Sequence, residues 1–289
     1  MYATESRSQS EARLLSPLER TFLHIQGIGL ATELKLWNSG IVSWYDLVER
    51  ASEIPATGMR SLLLAACRES IEKLAVGDAN YFLERLPSNE VWRAFCSFPG
   101  AVAYLDIETT SAAIDQTGLT VVGLFDGQSV HSFIADFEDL TERPPLSAVR
   151  YRTLLRPMHD LGDALSNFPR IVTYNGAVFD LPIIRRHFPD ASFGRLHLDL
   201  RVALRGYGIK GGLKAIEKSF GISRPESVQG LNGFDAVRLW MRYRYFGDVA
   251  ALATLIVYNA EDIINLQTLL RSFLDQRTAD FPSGTNFQA

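Results

Sequence analysis

Apolar residues in the first part of the chain recur at helical spacing. Leu18, Phe22 and Ile25 follow one another three or four residues apart. Residues at this spacing share one side of a helix, so the pattern predicts helices with a common buried face. We therefore predict a small all-helical domain over residues 17–88, preceded by a flexible polar N-terminus over residues 1–16.

The hydrophobic pattern changes near residue 98. Residues 101–107 form a nearly continuous apolar run, which is typical of a buried strand. Further strands are predicted over residues 119–125, 129–137, 170–174 and 195–200. Helices are predicted over residues 148–167, 181–188, 213–220, 233–245 and 249–274. Strands that first follow one another and then alternate with helices indicate a mixed sheet flanked by helices. We predict an α/β domain over residues 98–276 and a flexible tail over residues 277–289.

The composition agrees with two folded domains. Of the 289 residues, 47% are hydrophobic, which is enough for a sizeable core. The formal net charge of -4 gives no general basic character, although a nuclease can be acidic overall and still have a basic groove. Cys67 and Cys96 lie far apart and outside any Cys-x-x-Cys motif, which argues against a thiolate zinc site and against a disulfide framework.

Signals for secretion or for a membrane are not found in the sequence. The first residues are polar and lack the hydrophobic run of a signal peptide. The nearest approach to a membrane-spanning stretch is residues 250–257, which is far too short. We therefore expect a cytoplasmic protein that does not enter a membrane.

Four carboxylates occur in three contexts that simple geometry can bring together. Asp106 and Glu108 lie two residues apart at the end of the apolar run, so they face the same side of a strand. Tyr258 and Asp262 lie four residues apart and share one face of the last predicted helix. Asp180 begins a helix just after a strand, and ligand sites of open sheets favour such strand ends.

Such a group of carboxylates suits hard divalent cations. Mg²⁺ and Mn²⁺ prefer oxygen ligands, and two such ions about 3.5–4 Å apart can promote phosphoryl transfer. Each motif alone is uninformative, because an Asp-x-Glu is usually solvated and Asp180 alone could be favoured by a helix dipole. Their order and their placement on a strand, a turn and a late helix together favour a metal site that cleaves phosphodiester bonds.

Five segments carry a resemblance to a known family. They are Tyr104-Leu105-Asp106-Ile107-Glu108-Thr109-Thr110, Thr173-Tyr174-Asn175-Gly176 with Phe179-Asp180, Leu198-Asp199-Leu200-Arg201, Leu231-Asn232-Gly233-Phe234-Asp235-Ala236-Val237 and Tyr258-Asn259-Ala260-Glu261-Asp262. These segments resemble the motifs of the DEDD exonuclease superfamily, in its tyrosine-containing (DEDDy) branch. More closely, residues 92–274 resemble the bacterial YprB-like ribonuclease H-like domain family.

The resemblance implies a ribonuclease H-like fold and a metal-dependent 3′–5′ exonuclease activity. It places the metal ligands at Asp106, Glu108, Asp180 and Asp262, which would hold two divalent cations, Mg²⁺ or Mn²⁺. Tyr258 would orient the attacking water, where the sister branch uses a histidine as general base. None of the five histidines lies four or five residues before Asp262, which favours the tyrosine branch.

Four neighbours of these motifs are candidate substrate contacts. Thr109 and Thr110 could donate hydrogen bonds to the end of the substrate, or could simply cap the strand. Asn175 could bind phosphate or sugar and Phe179 could stack on a base, whereas their alternative roles are a turn former and a core anchor.

Possible phosphate contacts lie further along the chain. Arg201 and Lys210 could follow the phosphates of a strand, or could belong to an ordinary solvated surface. Gly27 and Gly29 bracket a turn that resembles a helix-hairpin-helix, where glycines let the backbone approach phosphate. A small helical packing module is the alternative for this turn.

These observations predict a metal-dependent 3′–5′ exonuclease whose partner is nucleic acid, with DNA slightly favoured over RNA because of the N-terminal turn. The first alternative is a catalytically weak binding or scaffolding module that keeps the ribonuclease H-like fold. An endonuclease or an RNA-specific nuclease is a second alternative.

Overall fold

The computed structural model describes residues 15–53, 58–111, 118–140 and 142–281 of the chain. Nearly all of the predicted flexible N-terminus, residues 1–16, lies outside these ranges. Residues 282–289 of the predicted flexible tail lie outside them as well.

The N-terminal part consists of short helices and one longer helix, α3. They are α1 Leu30–Asn38, α2 Trp44–Glu49, α3 Gly58–Ala75, α4 Ala79–Leu83 and α5 Val91–Ser97. Glu33 of α1 is fully buried and forms an ion pair with Arg93 of α5 at 2.8 Å, so the first and last of these helices are tied together. The predicted helical character of this region is confirmed.

Residues 17–28 form turns, and the helix predicted there is wrong. Side chains form hydrogen bonds with backbone N–H and C=O groups that would bond to each other in a helix. Glu33 accepts from the backbone N–H of Phe22, while the indoles of Trp37 and Trp44 donate to the backbone carbonyls of Arg20 and Thr21. Such side-chain partners compete with helical hydrogen bonds.

A mixed sheet follows, as predicted, with six strands where the sequence predicted five. Its strands are β1 Val102–Thr109, β2 Leu119–Phe125, β3 Ser129–Ile134, β4 Arg152–Pro157, β5 Arg170–Thr173 and β6 Leu196–Asp199. Their order across the sheet is β4-β3-β2-β1-β5-β6. β2 is antiparallel to both of its neighbours, whereas the other three pairings are parallel. This order places β1 inside the sheet, with β2 on one side and β5 on the other.

Helices cover both faces of the sheet. They are α6 Leu161–Ser166, α7 Asp180–His187, α8 Leu200–Gly206, α9 Leu213–Ser219, α10 Gly233–Phe246 and α11 Val249–Thr278. Ala103, Leu105 and Ile107 of β1 point into a core shared with α6 and α7. Tyr104 points to the opposite core, which includes α11. The alternation of β1 therefore aims Asp106 and Glu108 toward the α11 side.

Helix α11 is long and apolar enough to cross a membrane by length and composition alone, which the sequence analysis did not recognise. Of its most apolar window, 83% is buried within the protein. It packs on β1 and β2 along its length. A helix that is buried to this extent is a core helix, and this burial accounts for the apolar composition of α11.

One predicted helix is largely wrong. Residues 148–167 form the edge strand β4 and only then the short helix α6. β4 pairs in parallel with β3, and Pro157 ends it opposite Ile134. Proline is tolerated at a sheet edge, and pairing with a neighbouring strand outweighs the local helical pattern. Helix α8 was not predicted from the sequence. It begins directly after β6, where the side chain of Asp199 caps it.

The N-terminal helices and the sheet share one continuous apolar core. Trp92 of α5 contacts the rings of Phe273 in α11 and of Phe281. Phe281 is only 7% exposed and also packs against Trp37. Phe281, which belongs to the predicted flexible tail, therefore packs against the core, whereas Ala279 and Asp280 are exposed.

Candidate metal centre

The strand and helix carboxylates meet at one end of β1. Oxygens of Asp106, Glu108 and Asp262 all lie within 4.8 Å of one another. Asp106 and Glu108 face the same side of β1, and Asp262 reaches them from α11. The spacing of two residues on the strand accounts for the shared direction of Asp106 and Glu108, whereas the packing of α11 on β1 brings Asp262 to them.

A glycine lets α11 approach the strand carboxylates. Gly123 of β2 lies opposite Asp106 in the antiparallel register. A Cβ at Gly123 would lie 2.0 Å from Oδ1 of Asn259, so only glycine fits at this position. Asn259 uses the space to donate from Nδ2 to Oδ2 of Asp106 at 2.9 Å. Asn259 therefore orients the Asp106 carboxylate, a role that its motif alone did not reveal.

Asp180 reaches the same cleft from the first turn of α7. The preceding turn is fixed by Asp199, whose carboxylate accepts from the backbone N–H groups of Asn175 at 2.9 Å and Ala177 at 3.1 Å. Asn175 adopts a left-handed φ of 69°, which asparagine tolerates better than most residues. Asp199, a fifth carboxylate near the site, thus shapes the turn and caps α8 at Arg201.

The phenol of Tyr258 lies between a lysine and the carboxylates. Nζ of Lys214, on α9, donates to Oη of Tyr258 at 3.0 Å and also to the backbone carbonyl of Leu231. Burial first, and then Asp262, Glu108 and Asp106, raise the pKa of Tyr258. The phenol is therefore neutral at ordinary pH and keeps its proton.

An arginine that sequence reasoning did not single out forms an ion pair with Asp262. Arg224 donates to Oδ1 of Asp262 and makes two bonds to Glu217, at 2.7 and 2.6 Å. The side chains of all three are at most 8% exposed. Asn265 donates to Glu217 at 3.1 Å and completes this buried network. In the sequence, the only indication of this network is that Glu217 and Arg224 carry opposite charges and lie seven residues apart.

The carboxylates hold their protons more tightly than isolated ones. Burial is the main cause for each of the four, and it raises the pKa of Asp180 to about 7. Asp262 and Asp180 further raise the pKa values of Asp106 and Glu108, which lie well above their usual range. Arg224 opposes the rise in the pKa of Asp262. Burial of the charged form is therefore the main physical origin of these raised pKa values, and repulsion between neighbouring carboxylates adds to it.

The candidates of the sequence analysis largely share one cleft of about 640 Å³. Eight of them line it: Asp106, Glu108, Thr109, Asn175, Phe179, Asp180, Tyr258 and Asp262. Thr110 is not among the lining residues, and its hydroxyl accepts from the backbone N–H of Gly118. Phe234 lines the cleft with a ring that is 75% exposed, a position for which the sequence analysis had assigned no role.

The predicted phosphate contacts lie elsewhere. Gly27 lines a separate depression beside Glu84 and Arg85. Gly29 precedes α1 as its N-cap and does not line the cleft. Arg201 and Lys210 line a neighbouring pocket that shares Tyr174 and Asn175 with the cleft.

The donor set of the cleft fits a hard divalent cation. Among the described residues that line the cleft, four are acidic and none is basic. Carboxylate oxygens are the ligands that Mg²⁺ and Mn²⁺ prefer, and a cation would relieve the repulsion that raises the pKa values.

Comparison with known protein families gives a match over the α/β domain. A family model of the RNase H superfamily matches residues 103–274, which is more than half of the chain. The match begins in β1 and ends in α11, so it contains all four carboxylates. No curated protein matches the chain.

Proposed function

Because the chain belongs to the RNase H superfamily, we propose that it is a metal-dependent nuclease that hydrolyses phosphodiester bonds in the cleft at the end of β1. The observation that carries the proposal is the convergence of Asp106, Glu108 and Asp262 within 4.8 Å, at an open cleft that Asp180 and Tyr258 also line. The proposed ligands are these four carboxylates, holding two divalent cations, Mg²⁺ or Mn²⁺.

The residues of the chain have distinct parts in the proposed reaction. When bound, the cations would supply Lewis-acid activation of water and charge stabilisation at the leaving oxygen. Tyr258, a neutral phenol, would donate its O–H to the attacking water and orient it without removing its proton. Asn259 holds Asp106 in position, and Lys214 holds Tyr258. Phe179 and Phe234 offer apolar surface at the cleft on which a base can stack.

We further propose 3′–5′ exonuclease action of the DEDDy type and membership of the YprB-like group. The resemblance of the five segments supports both parts, and so does the presence of Tyr258 four residues before Asp262. A preference for DNA was expected from the N-terminal turn. Residues 17–28 form turns where a helix-hairpin-helix needs its first helix, so this region gives no support for a preference for DNA. We therefore propose a nucleic-acid strand as the substrate, and the assay below compares DNA with RNA.

A binding module with little catalysis is the second candidate. It is favoured by the ion pair between Arg224 and Asp262, which neutralises one proposed ligand without any metal. A carboxylate has two oxygens, however, and Arg224 bonds to Oδ1 alone. Oδ2 of Asp262 is thus not engaged by the arginine.

The experiment is digestion of end-labelled single- and double-stranded DNA and RNA with Mg²⁺, Mn²⁺ or EDTA. The proposal predicts metal-dependent release of mononucleotides from the 3′ end of at least one substrate. Products that arise from internal cleavage would show an endonuclease and would contradict the proposed exonuclease activity. Tight binding with no cleavage of any substrate would favour the binding module.

A further inference from the structure

A basic pocket adjoins the acidic cleft. It is lined by Tyr174, Asn175, Arg201, Arg205, Ile209, Lys210, Gly211 and Gly212, and its volume is about 630 Å³. Three of these residues are cations and none is acidic. The net charge of the chain is -4, so this concentration of positive charge does not reflect a generally basic protein.

The three cations of the basic pocket are not neutralised by the protein. Within the part of the chain that the structure describes, Arg201, Arg205 and Lys210 form no ion pair with a carboxylate. Arg201 donates to Oδ1 of Asn175 at 2.5 Å, which is a neutral partner. By contrast, Arg224 beside the cleft has two carboxylates. Cations that converge on a concavity without counterions repel one another, and an anionic ligand relieves that repulsion.

The basic pocket and the acidic cleft are adjacent. Tyr174 and Asn175 line both of them. The hydroxyl of Tyr174 donates to the backbone carbonyl of Gly211 at 2.7 Å, which fastens the loop that carries Lys210 to the rim of the cleft. Arg201 fastens the opposite side through Asn175. The boundary between the two sites is therefore one rigid turn, residues 174–176.

We propose that the basic pocket binds the phosphodiester backbone of the nucleic-acid strand whose scissile phosphate lies in the acidic cleft. The proposal rests on the proposed nuclease function and names its substrate class: a strand that extends past Asn175, as opposed to a small phosphodiester. Arg205 and Lys210 contact phosphates beyond the scissile one. Arg201 contacts the phosphate nearest to the turn and also orients Asn175.

Binding is tested without cleavage, in EDTA, by fluorescence anisotropy of labelled single-stranded DNA and RNA oligonucleotides over a series of salt concentrations. The test variant is Arg205→Gln/Lys210→Gln, because neither side chain bonds to the rest of the described chain. Arg152→Gln is the matched control, since Arg152 is exposed and lies on the edge strand β4.

The double variant is expected to weaken strand binding roughly tenfold at low salt. Its slope of log affinity against log salt should fall by about 1.4, as expected for two lost phosphate contacts on a single strand. The control should match the wild type. If the double variant loses affinity for only one of the two polymers, that polymer is the one that the basic pocket binds. Unchanged affinity and slope for both polymers would overturn the proposal.

A second arm separates this proposal from the proposed function. Hydrolysis of bis(p-nitrophenyl) phosphate with Mn²⁺ reports on the cleft alone, because this ester is too small to reach the basic pocket. We expect equal rates for the wild type and the double variant on this ester, and a raised KM of the variant on oligonucleotides. If the double variant lost activity equally on the ester and on the oligonucleotide, the proposal that the basic pocket binds only strands would be contradicted. Absence of all hydrolysis would count against the nuclease, whereas the anisotropy result would still decide the pocket.

Discussion

The ammonium of Lys214 lies 3.0 Å from the phenolic oxygen of Tyr258 and 4.4 Å from the centre of its ring. An ammonium group can only donate, so the oxygen of Tyr258 is the acceptor in this bond. The phenolic proton is thereby left to point away from Lys214. A neutral phenol held in this way can serve as a fixed donor toward the cleft.

Replacement of Lys214 by methionine is therefore expected to lower kcat roughly tenfold with little change in KM, because the phenol loses its fixed orientation. Lys214→Arg should recover part of the loss by donating to the same oxygen. Steady-state kinetics on an oligonucleotide provide the measurement. In combination with Tyr258→Phe, the two losses should not add, since both act on the same proton. Fully additive losses would show that Lys214 does not act through Tyr258.

Replacement of Arg224 by methionine should destabilise the metal-free protein by about 3–5 kcal/mol, because Asp262 and Glu217 would be left buried without their cation. Added Mn²⁺ should recover part of this loss by neutralising Asp262. Denaturant unfolding in EDTA and in Mn²⁺ measures both effects. The matched control is Arg242→Met, which breaks an ion pair with Asp248 whose arginine is 62% exposed; a change below about 1 kcal/mol is expected. Equal stability of Arg224→Met and wild type would refute the structural role of the network.

The metal-free protein should lose stability as pH rises above 6.5. The folded pKa of Asp180 is raised to about 7, and those of Asp106 and Glu108 are raised well above normal. Between the ordinary pKa of these carboxylates and their raised folded pKa values, the folded state binds more protons than the unfolded state. Stability therefore falls with rising pH across that interval and levels off once the folded carboxylates are ionised; Asp106 and Glu108 extend the interval above pH 6.5. His24 and His197, whose folded pKa values are lowered by burial to about 3 and about 4, act in the opposite sense, but only below pH 6.5.

This pH dependence is measured as the thermal midpoint in EDTA between pH 6.5 and 8.5. A fall of roughly 5 °C or more is expected for the wild type, and a much smaller one for Asp106→Asn. With Mn²⁺ the trend should reverse, because the metal binds the ionised carboxylates. A midpoint that is independent of pH in EDTA would mean that the pKa values of the carboxylates are not raised in the folded protein.

Replacement of Gly123 by alanine is expected to impair both folding and catalysis. The new Cβ would lie 2.0 Å from Oδ1 of Asn259 and 3.0 Å from Cδ1 of Ile263, so these side chains would have to shift. Overpacking of this kind costs about 1–3 kcal/mol, and a displaced Asn259 would no longer orient the Asp106 carboxylate. Thermal unfolding and kcat are the measurements. Gly29→Ala is the control, because nothing lies within 4 Å of its added Cβ. Full activity of Gly123→Ala would contradict the need for this close approach.

The parts of the site that depend on local periodicity were predictable from the sequence. Asp106 and Glu108 share a strand face, and Tyr258 and Asp262 share a helix face, because spacing alone decides direction. The hydrophobic pattern likewise predicted the mixed sheet and the strand that carries the first pair. These features require no knowledge of which elements touch.

Features that depend on contacts between distant segments could not be predicted in this way. Arg224 meets Asp262 across 38 residues, and Asn259 meets Asp106 across 153. Neither contact leaves a periodic signal. The edge strand β4 was predicted as a helix for the same reason, because its pairing with β3 supplies the hydrogen bonds that its sequence alone does not specify.

The most direct test of the central claim is the rate of Mg²⁺-dependent nucleotide release from an end-labelled oligonucleotide by the Asp106→Asn variant. This substitution keeps the size of the side chain and one acceptor oxygen, but it replaces the other oxygen by an NH2 group and removes the charge from the carboxylate cluster. Asp163→Asn, at an exposed carboxylate of α6, is the matched control. The proposal predicts a loss on the order of 10³-fold for Asp106→Asn and none for the control. Cleavage by Asp106→Asn at the wild-type rate would contradict the assignment of the metal centre.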